Sequence, residues 1–295
     1  MTFANYQEQL KSFPSDFSTA FNTAGVVMSE LVSDEDYQTW AESGFTIARR
    51  AGRSWEAARD YIVASPRMAD VLPFNYFKQW AYWGTVISEQ SPVVGGAYFK
   101  SGPDVAKILK PWDIAEWAQL GKRLSTGARH SDALTANFFE ASSDLLQVLS
   151  FSELQHVVVL VESVAEKSAE EAIGFLSLAR DVVPSLREDV RACLSLVSTL
   201  VKEDWRQAKG CLEVVKEALP RIERLERAKF LALASKIVEG GAVDTPLFLR
   251  KGAVALGQVE GHLHAQILGM ADAIANANYS VVPDFIDGVP FVLRR

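Results

Sequence analysis

Trp80-Ala81-Tyr82-Trp83-Gly84-Thr85-Val86-Ile87-Ser88-Glu89-Gln90-Ser91-Pro92-Val93-Val94-Gly95-Gly96-Ala97-Tyr98-Phe99-Lys100-Ser101-Gly102 reads as two helices joined by a tight turn. Trp80, Gly84 and Ile87 stand at i, i+4 and i+7, which is one face of a helix. Ser91 followed by Pro92 is a helix start, because serine caps the first free N–H groups and proline suits the first helical position. Gly95, Phe99 and Gly102 then form a second face, with small residues flanking one large ring.

The same pattern recurs along the chain. Trp-Ala-x-x-Gly appears at Trp40–Gly44 and Trp117–Gly121, with Ile47 and Leu124 three residues past the glycines. A second column runs through Ile62, Phe99, Phe139, Leu176, Leu212 and Leu249, in steps of 37, 40, 37, 36 and 37 residues. Preceding residues are Tyr61, Tyr98, Phe138, Phe175, Cys211 and Phe248. Four positions earlier lie Ala58, Gly95, Thr135, Ala172, Ala208 and Thr245, all small; three later lie Ser65, Gly102, Ser142, Ala179, Val215 and Gly252. Eight before each anchor stand Ser54, Ser91, Ser131, Ser168, Asp204 and Gly241, the residue types that begin helices. Hairpins of this kind cannot bury their apolar faces alone and must stack. The expectation is an all-α chain, an α-solenoid of about six helical hairpins with period 36–40. Residues 1–35 are expected to form an N-terminal helical cap, 36–256 the repeats, and 257–295 a C-terminal helix and an extended strap. Pro283, Gly288 and Pro290 argue against a helix throughout that tail. The strap reading stands beside one in which the tail binds a partner.

The columns resemble the tetratricopeptide (TPR) repeat, whose Trp, Gly, small and aromatic positions match Trp80, Gly84, Ile87, Gly95, Phe99 and Gly102, with Pro184 and Pro220 at the family's proline. The period exceeds 34 and lies nearer the HEAT-like range. The last three units depart further: the tryptophan column becomes Leu154, Val190 and Arg227, and the glycine column Val158, Leu194 and Leu231. Runs such as Tyr98-Phe99-Lys100-Ser101-Gly102-Pro103 and Phe138-Phe139-Glu140-Ala141-Ser142 are similar to the helical region of NorD-like bacterial proteins. Those proteins join such repeats to a von Willebrand A domain and work beside MoxR-type AAA+ ATPases. The resemblance implies a scaffold or adaptor whose partner is an AAA+ ATPase or a von Willebrand A domain protein. It transfers no catalytic residue, and the Asp-x-Ser-x-Ser metal motif is absent from the chain.

Composition narrows the function classes. Thirty Lys and Arg against thirty-seven Asp and Glu leave a net charge of −7 over 295 residues, with 48% hydrophobic residues. Residues 76–112 carry four lysines against two acids, while 113–187 carry eleven acids against six bases. No basic stripe follows the repeats, so nucleic acid is disfavoured as a partner, although a nucleic-acid-binding or DNA-repair module stays the alternative. No run of eighteen apolar residues predicts a membrane span. The start MTFANYQEQLKSF lacks a basic segment followed by an apolar one, and two cysteines fit a reducing compartment, so the expected location is cytoplasmic.

Nucleotide-binding and nucleophile motifs are absent from the chain, which predicts no cofactor and no enzyme activity. Cys193 and Cys211 sit in core-like columns and read as inert. His262 and His264 point apart on a helix and form no metal pair; Glu260 and His264 read as an ordinary surface pair. His130 falls in a hairpin loop. The resemblance to the tetratricopeptide repeat implies that the first helices of successive units line a concave face. Its partner-binding candidates are Arg49, Lys78, Tyr82, Glu89, Lys122, Glu162 and Arg191, with Ser88 and Ser125 also expected on that face. Lys78 and Lys122 with Tyr82 between them suit an extended, carboxylate-bearing peptide.

Overall fold

A computed structural model describes residues 4–50, 55–127, 131–241 and 244–293. Among them the chain is all-α, 88% helical and without a strand. It forms two compact units, residues 1–158 with 168–173, and residues 159–167 with 174–295.

The first unit opens with α1 (Ala4–Leu10) and α2 (Ser15–Leu31) and continues with α3 (Asp34–Arg50), α4 (Trp55–Val71), α5 (Phe74–Gln90), α6 (Pro92–Ala106), α7 (Asp113–Thr126) and α8 (Asp132–Leu146). Its helices pack in two rows. α2, α4, α6 and α8 lie side by side, α3, α5 and α7 do the same, and each hairpin pairs α3 with α4, α5 with α6, and α7 with α8. Chain passes between the units along α9 (Phe151–Ala165) and α10 (Ala169–Leu186). The second unit holds α11 (Val190–Ala218), α12 (Arg227–Glu239), α13 (Thr245–Leu256), α14 (His264–Asn278) and α15 (Val282–Leu293). There α11 packs on α12 and α13, α12 on α14, and both α13 and α14 on α15.

The columns account for this packing. All six anchors are buried, and so are Trp40, Trp80 and Trp117. Within a hairpin the glycine of the first helix faces the anchor of the second. A Cβ on Gly84 would lie 2.1 Å from Phe99, and one on Gly121 only 2.0 Å from Phe139. Glycine is required at both positions because the two helices approach through the ring itself. Between hairpins, rings meet in sequence: Phe21 stacks on Trp40 (4.9 Å between centroids), Tyr61 lies tilted against Trp80 (5.5 Å) and Tyr98 stacks on Trp117 (5.0 Å). Trp80 and Trp117 take the anchors Phe99 and Phe139 edge-on. The buried hydroxyls of Tyr61 and Tyr98 donate to the backbone carbonyls of Trp40 and Trp80. Burial without a charged partner pushes both phenols well above their ordinary range.

Second helices begin where the capping column places them. Ser91 and Ser131 accept from the N–H groups of Val94 and Leu134, and Ser168 accepts from that of Glu171. At Asp204 the long helix α11 breaks into two, with φ −150° and ψ 101°, and the Asp204 carboxylate accepts from Arg206 N–H. Those dihedrals nearly match Ser91 (−148°, 115°) and Ser131 (−141°, 107°). The sixth position differs: Gly241 adopts φ +93°, and the helix starts later, capped by Asp244. Ser54 lies outside the described residues.

The C-terminal expectation needs correction. Residues 278–293 are not an extended strap but a further second helix. Asn278 caps it with φ −159° and ψ 98°, a 3-10 turn covers Tyr279–Val281, and α15 follows. Pro283 sits in the first turn of α15, where its missing N–H costs nothing, and Pro290 lies in the last turns. Ile286, thirty-seven residues after Leu249, takes the anchor position and is buried.

Charged side chains repeat the period. Arg59–Asp16, Lys78–Asp36, Lys100–Asp60, Arg50–Glu89 and Arg67–Asp104 join helices of the first unit; Arg224–Glu188, Arg227–Asp189 and Lys236–Asp272 do so in the second. Each of these pairs spans 36 to 43 residues, about one repeat. The exposed pairs are each worth at most about 1 kcal/mol, whereas Asp60 and Asp189 are buried and depend more on their cations.

Candidate functional site

Two shallow clefts open along the first-helix row of the first unit. One, of about 560 Å³, lies between α3 and α5 and is lined by Thr39, Glu42, Arg50, Lys78, Tyr82 and Glu89 among others. The next, of about 640 Å³, is lined by Trp83, Glu116, Gln119, Lys122, Arg123 and Gln155. Consecutive aromatics on α5 form the ridge between them. Tyr82 faces the first cleft and Trp83 the second, and their rings meet edge-on at 5.6 Å. Tyr82 is 63% exposed, which leaves its ring and hydroxyl free for a ligand.

Each cleft has charged walls. Lys78 stands 3.3 Å from Asp36 and 5.1 Å above the Phe74 ring, at one end of the first cleft. At the other end Arg50 reaches Glu89 at 3.3 Å. Lys122 lies 5.6 Å above the Trp83 ring in the second cleft. Cation–π placement over a half-exposed ring holds an ammonium at the surface and keeps its charge accessible.

Of the seven sequence candidates, Lys78, Tyr82 and Glu89 line the first cleft and Lys122 the second. Arg49 does not line either; it donates to Gln9 of α1 at 3.1 Å and lies over Phe45. Its neighbour Arg50 is the cleft arginine. Glu162 and Arg191 belong to the second unit. Ser88 and Ser125, expected on the exposed face, are buried. Ser88 sits beneath Gly95, where a Cβ would come within 2.0 Å of its Oγ, so the small-residue column hides it. Sequence reasoning missed Trp83, although two adjacent aromatics on an amphipathic helix already required one of them to leave the core.

The titratable groups elsewhere are structural. Cys193 is buried, and desolvation followed by the nearby Asp189 charge pushes its thiol up to about 12; burial raises Cys211 also. Neither is poised as a thiolate nucleophile at neutral pH. His264, read as a surface partner of Glu260, is buried instead. Its Nδ1 accepts from the Glu223 N–H at 3.0 Å and its Nε2 lies 2.9 Å from the Leu256 carbonyl. A backbone N–H can only donate and a carbonyl only accept, so the ring is the neutral Nε2–H tautomer. Glu260 pairs with His262 at 3.3 Å. His130 lies outside the described residues. Among the described residues no group of three or more His, Cys, Asp or Glu is placed to hold a metal ion, and no helix is long and apolar enough to cross a membrane.

Comparison with family models and with curated proteins gives no match. The tetratricopeptide, HEAT-like and NorD-like resemblances therefore rest on the residues quoted above.

Proposed function

We propose that the chain is a non-catalytic α-solenoid scaffold that binds a partner segment along its first-helix row. The solenoid reading is supported by side-chain pairs spanning one repeat, by ring contacts from hairpin to hairpin, and by cap dihedrals that recur at Ser91, Ser131, Asp204 and Asn278. The observation that carries the binding reading is Tyr82: a large, 63% exposed aromatic ring midway along a cleft whose ends are charged. Tyrosine gives contact area and a hydrogen bond at small entropy cost, which suits recognition of an extended polar chain. Lys122 and Arg123 in the next cleft favour a carboxylate-bearing segment. The NorD-like resemblance points to an AAA+ ATPase or a von Willebrand A domain protein as its source.

Photo-crosslinking tests this reading. A benzophenone side chain at Tyr82 should trap a partner that the same group at Val63, exposed on the second-helix row, does not trap. Lys78→Glu with Lys122→Glu should lower that yield while changing thermal stability little, since both lysines are at the surface. Equal trapping at both sites would remove the binding face from this row.

A further inference from the structure

The ridge between the two first-helix clefts presents donors without acceptors. Among the described residues no hydrogen bond engages the Tyr82 hydroxyl or the Trp83 indole N–H. Lys122, whose ammonium lies 5.6 Å above the Trp83 ring, forms no ion pair among them either. Tyr82 walls the first cleft and Trp83 the second, and all three side chains belong to the first unit. The surroundings exclude two common ways for a protein segment to dock. Strand addition needs a free backbone edge, and in α3, α5 and α7 the backbone groups are spent within the helices. A helix laid in a groove needs an apolar stripe, whereas the first cleft is walled by Glu42, Arg50, Lys78 and Glu89.

We propose that this ridge binds a proline-rich segment in the polyproline II conformation, with an acidic residue just beyond its prolines; this rests on the scaffold reading of the same row and gives its ligand a chemistry. Such a segment makes no internal hydrogen bonds, and proline brings a carbonyl but no N–H, so the chain is rich in acceptors and poor in donors. Tyr82 Oη–H and Trp83 Nε1–H donate to its carbonyls, while pyrrolidine rings pack against the two aromatics, one in each cleft. Two rings already held edge-on at 5.6 Å lose little entropy on binding, and a polyproline II chain is ordered beforehand. Lys122 meets the acidic residue. Single-stranded nucleic acid also stacks on aromatics, but its phosphates would face Glu42 and Glu89 in one cleft and Glu116 in the other.

Fluorescence anisotropy of a fluorescein-labelled peptide, Pro-Pro-Leu-Pro-Pro-Glu-Glu, titrated with the full chain tests this. Binding should saturate, and replacing the prolines by alanine should weaken it at least about tenfold, since the ligand must then be ordered on binding. Trp83→Ala should also weaken it at least about tenfold, and Tyr82→Phe, which keeps the ring and removes the hydroxyl, about two- to tenfold, the worth of one hydrogen bond. Lys122→Glu should weaken the peptide but not a version ending in Gln-Gln. In the parent chain, proton–nitrogen NMR should show the Trp83 indole shifting as peptide is added while the buried indoles of Trp40, Trp80 and Trp117 stay in place, a readout that needs no variant. Equal affinity for the alanine peptide, an unmoved Trp83 indole, or binding of oligothymidylate in place of the peptide overturns the proposal. A chain that crosslinks a partner at Tyr82 yet ignores the proline peptide also overturns it, and leaves the binding face standing.

Discussion

Gly121→Ala sets helix propensity against packing, and the structure decides which wins. In an open helix the change stabilises by about 1 kcal/mol, because alanine loses less backbone entropy than glycine. At position 121, however, the new methyl would lie 2.0 Å from Cζ of Phe139 and 2.6 and 2.7 Å from its Cε atoms. Carbon atoms settle at about 3.5–4.0 Å, so ring and helix must separate by about 1.5 Å. Phe139 has nowhere to go: it is buried and held edge-on by Tyr98 at 5.1 Å and by Trp117 at 5.0 Å. Overpacking commonly costs about 1–3 kcal/mol where neighbours can give way, and here about 4 kcal/mol is expected, for a net loss of about 3 kcal/mol. Gly269→Ala in α14, where nothing lies within 4 Å of the new methyl, should instead stabilise by about 1 kcal/mol. Urea unfolding followed by circular dichroism and tryptophan fluorescence measures both, read as separate midpoints if the two units unfold separately. Phe139→Leu combined with Gly121→Ala should cost about 2 kcal/mol less than the sum of the single changes, because the ring that collides is gone. A Gly121→Ala midpoint at or above that of the parent would refute the close approach of α7 and α8.

Ser131→Ala and Asp204→Ala should each destabilise by about 1 kcal/mol in the same assay, and Asp204→Ala should leave overall helicity nearly unchanged because only the break in α11 loses its cap. His264→Leu strands the Glu223 N–H and the Leu256 carbonyl and should cost about 2–4 kcal/mol; nitrogen NMR of the parent should show the neutral Nε2–H ring. Arg227→Leu should destabilise the second unit by about 2 kcal/mol at neutral pH by leaving the Asp189 carboxylate buried without its cation. Burial already holds Asp189 above the ordinary carboxylate range, and a group so raised favours the fold below its unfolded pKa and loses that contribution as pH rises. The deficit of Arg227→Leu, followed by melting temperature across pH, should therefore shrink on acidification; a constant deficit would assign the effect to lost packing alone.

Helix, hairpin and register were legible because small and capping residues mark them whatever the bulky residues do. The ends were not. α2 is also a second helix in this register: Phe21 stands forty residues before Tyr61 and stacks on Trp40, with Ser18 and Gly25 at the small positions. Asn22 occupies its anchor, and Asn22 accepts from Gln7 of α1 instead of filling a core, so an apolar search passes it by. α15 was hidden by its prolines, which are read as helix breakers although the first turn has no N–H partner to lose. The clefts were half legible. Exposure on the first helices follows from the pattern, but whether Arg49 or Arg50 reaches the groove depends on the rotation of α3 against α1 and α5, which one helix alone does not determine.

Drift in the columns has a physical direction. The indoles of Trp40, Trp80 and Trp117 fill the first unit, each matched by a glycine one turn on that lets an anchor residue approach. In the second unit the column holds the buried Val190 and then Arg227, which donates to the Ile222 carbonyl at 3.2 Å and reaches Asp189 at 3.4 Å, while Leu231 replaces the glycine and is buried. The ring-in-glycine contact is thus absent where Leu231 stands, and Arg227 reaches back by charge to Asp189 within the same unit. Hydrophobic filling thus gives way to polar bridging at one fixed column. Helix starts with near-identical dihedrals persist through that change, at Asp204 and Asn278, while the side chains at the fixed column vary.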